Sequence, residues 1–140
     1  MFSHVMVGTN DIEESRIFYD KIFETLGANP GKMYPNLTGQ KRYFYTFKGT
    51  SFCVTEPIDG NEATVSNGAT IGFNIESTEQ GDAWHKAGIE NGGTSIEEPP
   101  GVRDYEKFKM YLAYLKDNRN LSRLESDYTR NKPEVNIKIN

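Results

Sequence analysis

The sequence lacks the features that mark secreted, membrane-embedded and nucleic-acid-binding proteins. Cys53 is the single cysteine among 140 residues, so an intrachain disulfide is excluded and nothing points to an oxidising compartment. The apolar runs are far too short to span a bilayer. With a net charge of −4 and no cluster of Lys and Arg, the chain lacks the electrostatic footprint of a nucleic-acid binder. These absences predict a cytoplasmic protein that binds neither membrane nor nucleic acid.

Motifs of several enzyme classes are missing as well. The chain has no G-x-S-x-G elbow, no Gly-rich phosphate loop, no C-x-x-C pair and no H-E-x-x-H metal motif. Its two histidines are His4 and His85, and nothing in the sequence brings either of them to Cys53. Because Cys53 lies in a strand-like run, we expect a buried and inert thiol. His85 is expected on the surface or packing face of a helix.

What the sequence does contain is an internal repeat with an offset of 66 residues. A strand-like segment at 2–8 is followed by an amphipathic helix at 11–27, and the same order recurs at 69–75 and 77–93. Each helix opens on a capping-box-like pair and closes on glycine: Asp11 with Glu14 and then Gly27, Ser77 with Gln80 and then Gly93. The repeat predicts one domain over 1–140.

The domain divides into module one at about 1–57, a linker at 58–68 and module two at about 69–140. Further strands are predicted in both modules, at 31–34, 42–47, 51–55, 94–97 and 109–115. In the second helix, packing on a sheet is predicted for Ala83, Trp84, Ala87 and Ile89.

The end of module two is harder to assign. The residues that follow Pro99-Pro100-Gly101 are predicted to form a loop. Two segments compete for the eighth strand, 120–125 and 134–139. The alternation of apolar and polar residues favours the later segment, with a helical or irregular insertion before it.

A βαβββ module repeated in this way resembles the vicinal oxygen chelate superfamily, which includes glyoxalase, bleomycin resistance proteins and extradiol dioxygenases. The segments that carry the resemblance cover roughly residues 2–117: His4-Val-Met-Val with Asp11, Ser15 and Phe18-Tyr19, Leu26-Gly27-Ala28, Asn67 to Phe73, Ala83-Trp-His85, Gly92-Gly-Thr94, Pro99 to Arg103, and Tyr111 to Leu115. The nearest likeness is to bacterial proteins related to lactoylglutathione lyase. The resemblance implies an α+β fold in which two tandem βαβββ modules form a curved, mixed-sheet half-barrel with helices on its outer face.

The resemblance further implies a small-molecule ligand in the cleft between the modules and a homodimer. Whether the C-terminal stretch completes the second sheet within the chain or by exchange with a partner chain is left open by the sequence.

A divalent metal is the cofactor that the resemblance implies, acting as a Lewis acid on two neighbouring substrate oxygens. The typical ligands are a His on the first strand, a His or Gln at the start of module two, and Glu on later strands. His4 occupies the first position, but Thr70 occupies the second, and Glu134 reaches the last position only with the later eighth strand. Because a stable site needs three or four protein ligands, the sequence predicts an incomplete metal site with His4 as its one candidate ligand.

Strand alternation selects the candidate binding residues. If His4 faces the cleft, Met6 does so too, and the repeat adds Thr70 and Asn74. Tyr45 shares a strand face with Tyr43 and Phe47, which forms either an aromatic wall for planar or cationic ligands or an ordinary core face. Arg103 follows the Pro-Pro-Gly segment, where it could clamp an anion or lie in solvent. The predicted ligand-binding residues are His4, Met6, Tyr45, Thr70, Asn74 and Arg103.

Three functions remain open at this point. The first is a glyoxalase-like lyase or isomerase in which His4 is a metal ligand or general base, with Thr70 and a tyrosine orienting the substrate. The second is a metal-free binding or sequestration protein like the bleomycin resistance branch. The third is a chain whose ancestral site has been lost and whose C-terminus serves interaction. The missing ligands count against metal-dependent catalysis, and the aromatic strand favours the second.

Overall fold

The computed structural model describes residues 2–66 and 68–117 with their side chains, and residues 134–138 as a backbone strand. The elements follow the order β1 (His4–Gly8), α1 (Ile12–Glu24), β2 (Lys32–Met33), β3 (Arg42–Phe47), β4 (Thr50–Thr55), β5 (Thr70–Asn74), α2 (Thr78–Glu90), β6 (Thr94–Ser95), β7 (Gly101–Tyr105), β8 (Phe108–Lys116) and β9 (Glu134–Lys138). Within the described ranges, neither helix combines the length and apolar character that a membrane crossing requires.

The strands form two sheets that are not closed into a barrel. The first has the order β1-β4-β3-β2, and the second has the order β5-β9-β8-β6 with β7 attached to β8. The pairs β1–β4 and β5–β9 are parallel, and the remaining pairs are antiparallel. The predicted α+β class with two repeated modules is therefore confirmed.

The two modules repeat in register as well as in order. His4 pairs with Ser51 in the first sheet, and Thr70 pairs with Glu134 at the equivalent place in the second. Each helix begins at the predicted cap: the Asp11 carboxylate accepts from an amide three residues on at 2.9 Å, and the Ser77 hydroxyl does so at 3.1 Å. Such caps satisfy amides that have no partner within a first helical turn.

Both helices end in the same hydrogen-bonded motif. The amide of Ala28 donates to the carbonyl of Phe23 at 3.0 Å, and the amide of Gly93 donates to the carbonyl of Gly88 at 2.8 Å. In each case the preceding residue is a glycine with positive φ, 83° at Gly27 and 94° at Gly92. The repeat in the sequence aligned Gly27 with Gly93, so that alignment is wrong by one residue at the helix end.

Residues 101–105 form strand β7, and the predicted loop is wrong. They pair with β8 from Gly101–Leu112 to Tyr105–Phe108, and a two-residue turn of Glu106 and Lys107 closes the hairpin. Cross-strand stacking of Tyr105 on Phe108, with ring centroids 5.1 Å apart, reinforces the pairing at the turn.

The final strand lies at 134–138, as the favoured alternative predicted. It is inserted between β5 and β8 within the chain, where it takes the place that β4 has in the first sheet. The rival segment at 120–125 lies outside the described residues. Residues 117–133 connect β8 to β9, whereas Lys48 and Gly49 alone connect β3 to β4.

One core is shared by the two modules. Helix α1 packs on both α2 and β4, and α2 packs on β8. The largest fully buried side chains of the described residues come from both helices and from β8, including Phe18, Tyr19, Ile22, Trp84 and Leu115. The halves are therefore a single packed unit in which the apolar stripe of each helix is covered.

Helix α2 packs through two glycines as well as through Trp84 and Ala87, and the packing predicted for Ala87 is confirmed. Trp84 is fully buried as predicted, but Ala83 is exposed and Ile89 is 41 % exposed, so the prediction for these two residues is wrong. Gly81 and Gly88 are buried instead. A Cβ atom at Gly88 would lie 2.2 Å from Cδ1 of Leu115, which shows how closely the helix backbone approaches β8.

Candidate functional site

Strands β1 and β5 each present one face to the core and one to solvent. Val5 and Val7 are half-buried against the core, whereas His4 and Met6 are exposed. The same alternation places Thr70, Gly72 and Asn74 on the exposed face of β5, while Ile71 and Phe73 pack inward. The orientation expected from alternation is therefore observed on both strands.

A cavity of ≈ 430 Å³ opens between β1 and β5, the edge strands of the two sheets. His4 and Val5 line it from module one, and the segment from Ile71 to Glu76 lines it from module two. Its floor is formed by residues at the end of α1 and beyond, including Phe23, Leu26 and Ala28. The cavity thus lies where the two modules meet.

Aromatic rings join the modules at the floor of this cavity. The ring of Phe23 lies 5.1 Å from that of Phe73, and the ring of Phe52 lies 5.8 Å from it, both in edge-to-face geometry. Such pairs contribute beyond the area that they bury. Because Phe73 belongs to module two and the others to module one, these contacts hold the two walls of the cavity together.

Tyr45 approaches the cavity from the core side. It is 3 % exposed, and its hydroxyl donates to the carbonyl of Arg16 at 3.2 Å. Burial, with the negative charge of Asp20 nearby, raises the pKa of Tyr45 above its ordinary value. The phenol therefore stays neutral and already has a hydrogen-bond acceptor.

Most polar groups of the cavity wall are already hydrogen-bonded within the protein. The Ser51 hydroxyl lies 2.9 Å from that of Thr46, and Nδ1 of His4 lies 2.9 Å from the Ser3 hydroxyl. Gln80 accepts from the amide of Glu76 at 2.7 Å and donates to the carbonyl of Thr25 at 3.0 Å. Gln80 thereby connects the N-terminus of α2 to the C-terminus of α1.

Two exposed residues of the cavity lining form an ion pair, and their exposure places them at its mouth. The ammonium of Lys48 binds the carboxylate of Glu76 and lies 5.1 Å from the ring centroid of Phe47. Lys48 and Gly49 form the two-residue turn between β3 and β4 with φ of 47° and 81°, the positive pair typical of a type I′ hairpin turn. Glu76 follows β5 closely, so the pair links module one to module two.

The structure places the six predicted ligand-binding residues in different regions. His4, Tyr45 and Asn74 line the cavity, whereas Met6, Thr70 and Arg103 are outside the described residues that line it. The Arg103 guanidinium donates to the carbonyls of Glu98 and Pro99 at 3.1 and 2.8 Å, so it holds its own segment of chain. Sequence reasoning missed the residues of the floor and the ion pair at the mouth.

The described residues do not fit a family-type metal site. No group of three His, Cys, Asp or Glu side chains within these residues is close enough to hold an ion. His4 has Ser51 beside it in register, and Thr70 stands at its repeat-equivalent position. One imidazole falls short of the three or four protein ligands that a stable divalent site requires.

The other histidine and the cysteine lie away from the cavity lining. Nε2 of His85 is 3.0 Å from the Ser95 hydroxyl, and burial lowers the pKa of His85 against the opposing effect of Asp82. Cys53 is fully buried, although alternation puts it on the outer face of β4. It is flanked in register by Met6 and Phe44.

Cys53 is expected to be unreactive in the folded protein. Burial raises the pKa of its thiol to about 11, so little thiolate exists at pH 8. We expect Cys53 not to react with a disulfide reagent over minutes in native buffer. In urea, one thiol per chain should react. Phe44→Ala, which removes one flanking side chain, should accelerate the native reaction, whereas Thr46→Ala should not. Rapid reaction of the unmodified protein would contradict this burial.

The comparisons with known proteins agree with this architecture. The chain is 46 % identical to a glyoxalase/bleomycin resistance protein from Albidiferax ferrireducens T118, over 100 % of this chain and 99 % of that protein, with a TM-score of 0.81. The chain therefore belongs to the glyoxalase/bleomycin resistance protein family, and the resemblance seen in the sequence is confirmed. No family model and no curated protein matches the chain.

More distant solved structures share the fold alone. The fosfomycin resistance protein FosX from Listeria monocytogenes is 17 % identical over 100 % of this chain and 90 % of its own, with a TM-score of 0.64. A lactoylglutathione lyase from Agrobacterium tumefaciens is 11 % identical over 99 % and 92 % of the two chains, with a TM-score of 0.59. At such identity no activity is transferred to this chain.

Proposed function

We propose that the protein binds a small organic molecule in the cavity between β1 and β5 and that this binding needs no divalent metal. The observation that carries the proposal is the ≈ 430 Å³ cavity with an aromatic floor at the junction of the modules. Ligand pockets are typically apolar clefts of about 300–1,000 Å³ with a few polar groups that fix orientation. His4 and Asn74 are the polar groups that we assign to orientation.

The expected driving force is burial of apolar ligand surface against the floor. Transfer of apolar area from water contributes about 25 cal/mol per Å², so roughly 200 Å² of ligand surface yields about 5 kcal/mol before the cost of association. Phe23 and Phe73 hold each other in place across the junction, so little reorganisation is required on binding. A preformed, rigid floor favours affinity because fewer side chains are immobilised by the ligand.

Amide NMR spectra of the protein with a library of neutral, anionic and cationic fragments test the proposal. Ligands should shift the resonances of His4, Val5 and the segment 71–76. Asn74→Trp fills the cavity from an exposed strand position, where an aromatic residue is well tolerated, and should abolish these shifts. Val102→Trp is the matched control, since Val102 is a 60 % exposed strand residue outside the lining. If no fragment of any charge shifts the cavity resonances, the proposal fails.

Divalent metals are expected to leave the thermal stability of the chelator-treated protein unchanged. A metal that binds a specific site and is present at ~100 times its dissociation constant adds about 2.7 kcal/mol to the free energy of unfolding. This corresponds to a rise of several degrees in melting temperature. We expect no such rise with Zn, Ni, Mn, Co or Fe(II), and no loss of stability in His4→Ala, because His4 is exposed. A metal-specific rise that His4→Ala removes would instead support a glyoxalase-like lyase or isomerase.

The homodimer implied by the resemblance stays a prediction, which sedimentation analysis can test.

A further inference from the structure

We infer that this cavity selects uncharged, predominantly aromatic or aliphatic ligands and that the Lys48–Glu76 ion pair at its mouth enforces the selection. The inference rests on the proposed function and adds the chemical class of the ligand to it. Three observations carry it: the composition of the wall, the few polar groups that remain for a ligand, and the mutual neutralisation of the charges at the mouth.

The wall offers an ionic ligand no fixed counter-charge. Among the described lining residues, the carboxylate and ammonium groups are confined to Lys48 and Glu76, which bind each other. The remaining wall is mainly aliphatic and aromatic, with Phe23, Leu26 and Ile71 among its members. An anion or cation that leaves water for such a surface loses hydration without gaining a partner, and this cost favours neutral molecules.

Few polar atoms of the wall remain for a ligand. Tyr45, Ser51 and Gln80 already have partners inside the protein. Nε2 of His4 and the side-chain amide of Asn74 have no hydrogen bond to another described residue. These two groups can satisfy one or two polar atoms on a ligand that is otherwise apolar.

The ion pair is placed to set the charge at the entrance rather than to stabilise the fold. The side chains of Lys48 and Glu76 are 62 % and 72 % exposed, and exposed pairs contribute little to stability. The type I′ turn fixes Lys48 at the rim, and the end of β5 fixes Glu76 opposite to it. Removing either charge leaves the other unpaired beside the entering ligand, with the fold intact.

Two fluorescent probes with the same ring system test the inference. N-phenyl-1-naphthylamine is neutral, and 8-anilinonaphthalene-1-sulfonate adds one sulfonate; both brighten in apolar surroundings. At pH 8 and low salt, the neutral probe should bind at least about tenfold more tightly than the anionic one. Asn74→Trp should abolish binding of the neutral probe, and Val102→Trp should not.

The role of the mouth is tested by Glu76→Gln, which leaves the Lys48 ammonium unpaired. Binding of the sulfonate probe should tighten about three- to tenfold at low salt, and about 0.5 M NaCl should remove the gain. Binding of the neutral probe should change less than about twofold. Glu90→Gln makes the same charge change in the exposed Lys86–Glu90 pair of α2 and should alter neither probe.

Each outcome separates the inference from the proposed function. The sulfonate probe could bind the unmodified protein as tightly as the neutral probe, with Asn74→Trp abolishing the binding of both. The inference that the cavity selects neutral ligands would then be wrong, whereas binding in the cavity would be supported. If Glu76→Gln leaves sulfonate binding unchanged, the role of the ion pair is wrong. If Asn74→Trp affects neither probe, the cavity is not the binding site, and the proposed function falls with the inference.

Discussion

Replacing Trp84 with alanine is expected to lower the free energy of unfolding by about 3–5 kcal/mol, the range for truncation of a buried tryptophan. Trp84 is 0 % exposed and belongs to the buried cluster that joins α1, α2 and β8. Its loss leaves a cavity in the core that both modules share. Urea denaturation followed by circular dichroism measures the change, and the melting temperature should fall by about 10 °C or more.

Two further variants at this helix separate packing from other effects of the change. Ile89→Ala shortens an apolar side chain of the same helix that is 41 % exposed, and it should cost less than about 1 kcal/mol. Trp84→Phe keeps most of the ring and removes an indole N–H that has no hydrogen-bond partner among the described residues. It should therefore cost much less than Trp84→Ala. Equal losses in Ile89→Ala and Trp84→Ala would contradict the observed placement of α2.

Gly88→Ala is expected to destabilise the protein by about 1–2 kcal/mol, although alanine is the better helix former. Helix propensity alone predicts a gain of about 1 kcal/mol for this change. Against it, the new methyl group would lie 2.2 Å from Cδ1 and 3.3 Å from Cγ of Leu115, whose side chain is 0 % exposed. Overpacking of this kind typically costs 1–3 kcal/mol, so the steric cost decides the sign.

A double-mutant cycle isolates the contact at Gly88. Leu115→Ala alone removes buried surface and destabilises, but it also removes the atoms that the Gly88→Ala methyl group meets. The two changes together should therefore cost less than the sum of the single changes, with a coupling above about 0.5 kcal/mol. Ala83→Gly, on the exposed side of α2, is the control. It should follow helix propensity and lower the free energy of unfolding by about 1 kcal/mol. A stabilising Gly88→Ala would mean that α2 packs more loosely on β8.

The order of the elements could be predicted because each depends on local patterns. Capping residues at Asp11 and Ser77 fixed where the helices begin, and alternation fixed which face of β1 and β5 meets the core. Strand β7 was missed because Pro99-Pro100-Gly101 is typical of a loop and the Glu106–Lys107 turn contains no glycine. The sheet-facing side of α2 was misjudged because Gly81 and Gly88 pack by having no side chain.

The candidate site was only partly predictable for a similar reason. His4 and Asn74 were predicted from strand alternation and line the cavity, but the same alternation also selected Met6 and Thr70, which are outside the described lining. The helix-end residues of the floor have no distinguishing pattern, because apolar residues there are typical of any core. The Lys48–Glu76 pair joins a hairpin turn to the end of a strand in the other module, and no short-range signal connects the two.

The position of β9 has a consequence for the order in which the protein forms. In the first sheet a two-residue turn brings β3 and β4 together, so that hairpin can nucleate early. In the second sheet, β9 pairs with β8 only once the chain from 117 to 133 has brought the two strands together. Strand β5 has no strand partner other than β9 among the described residues. Bringing together two strands that are separated by a longer connection costs more conformational entropy and slows folding. The β3–β4 hairpin and the β7–β8 hairpin, which also has a two-residue turn, are therefore expected to acquire hydrogen-exchange protection early during refolding, with β5 among the last segments to be protected.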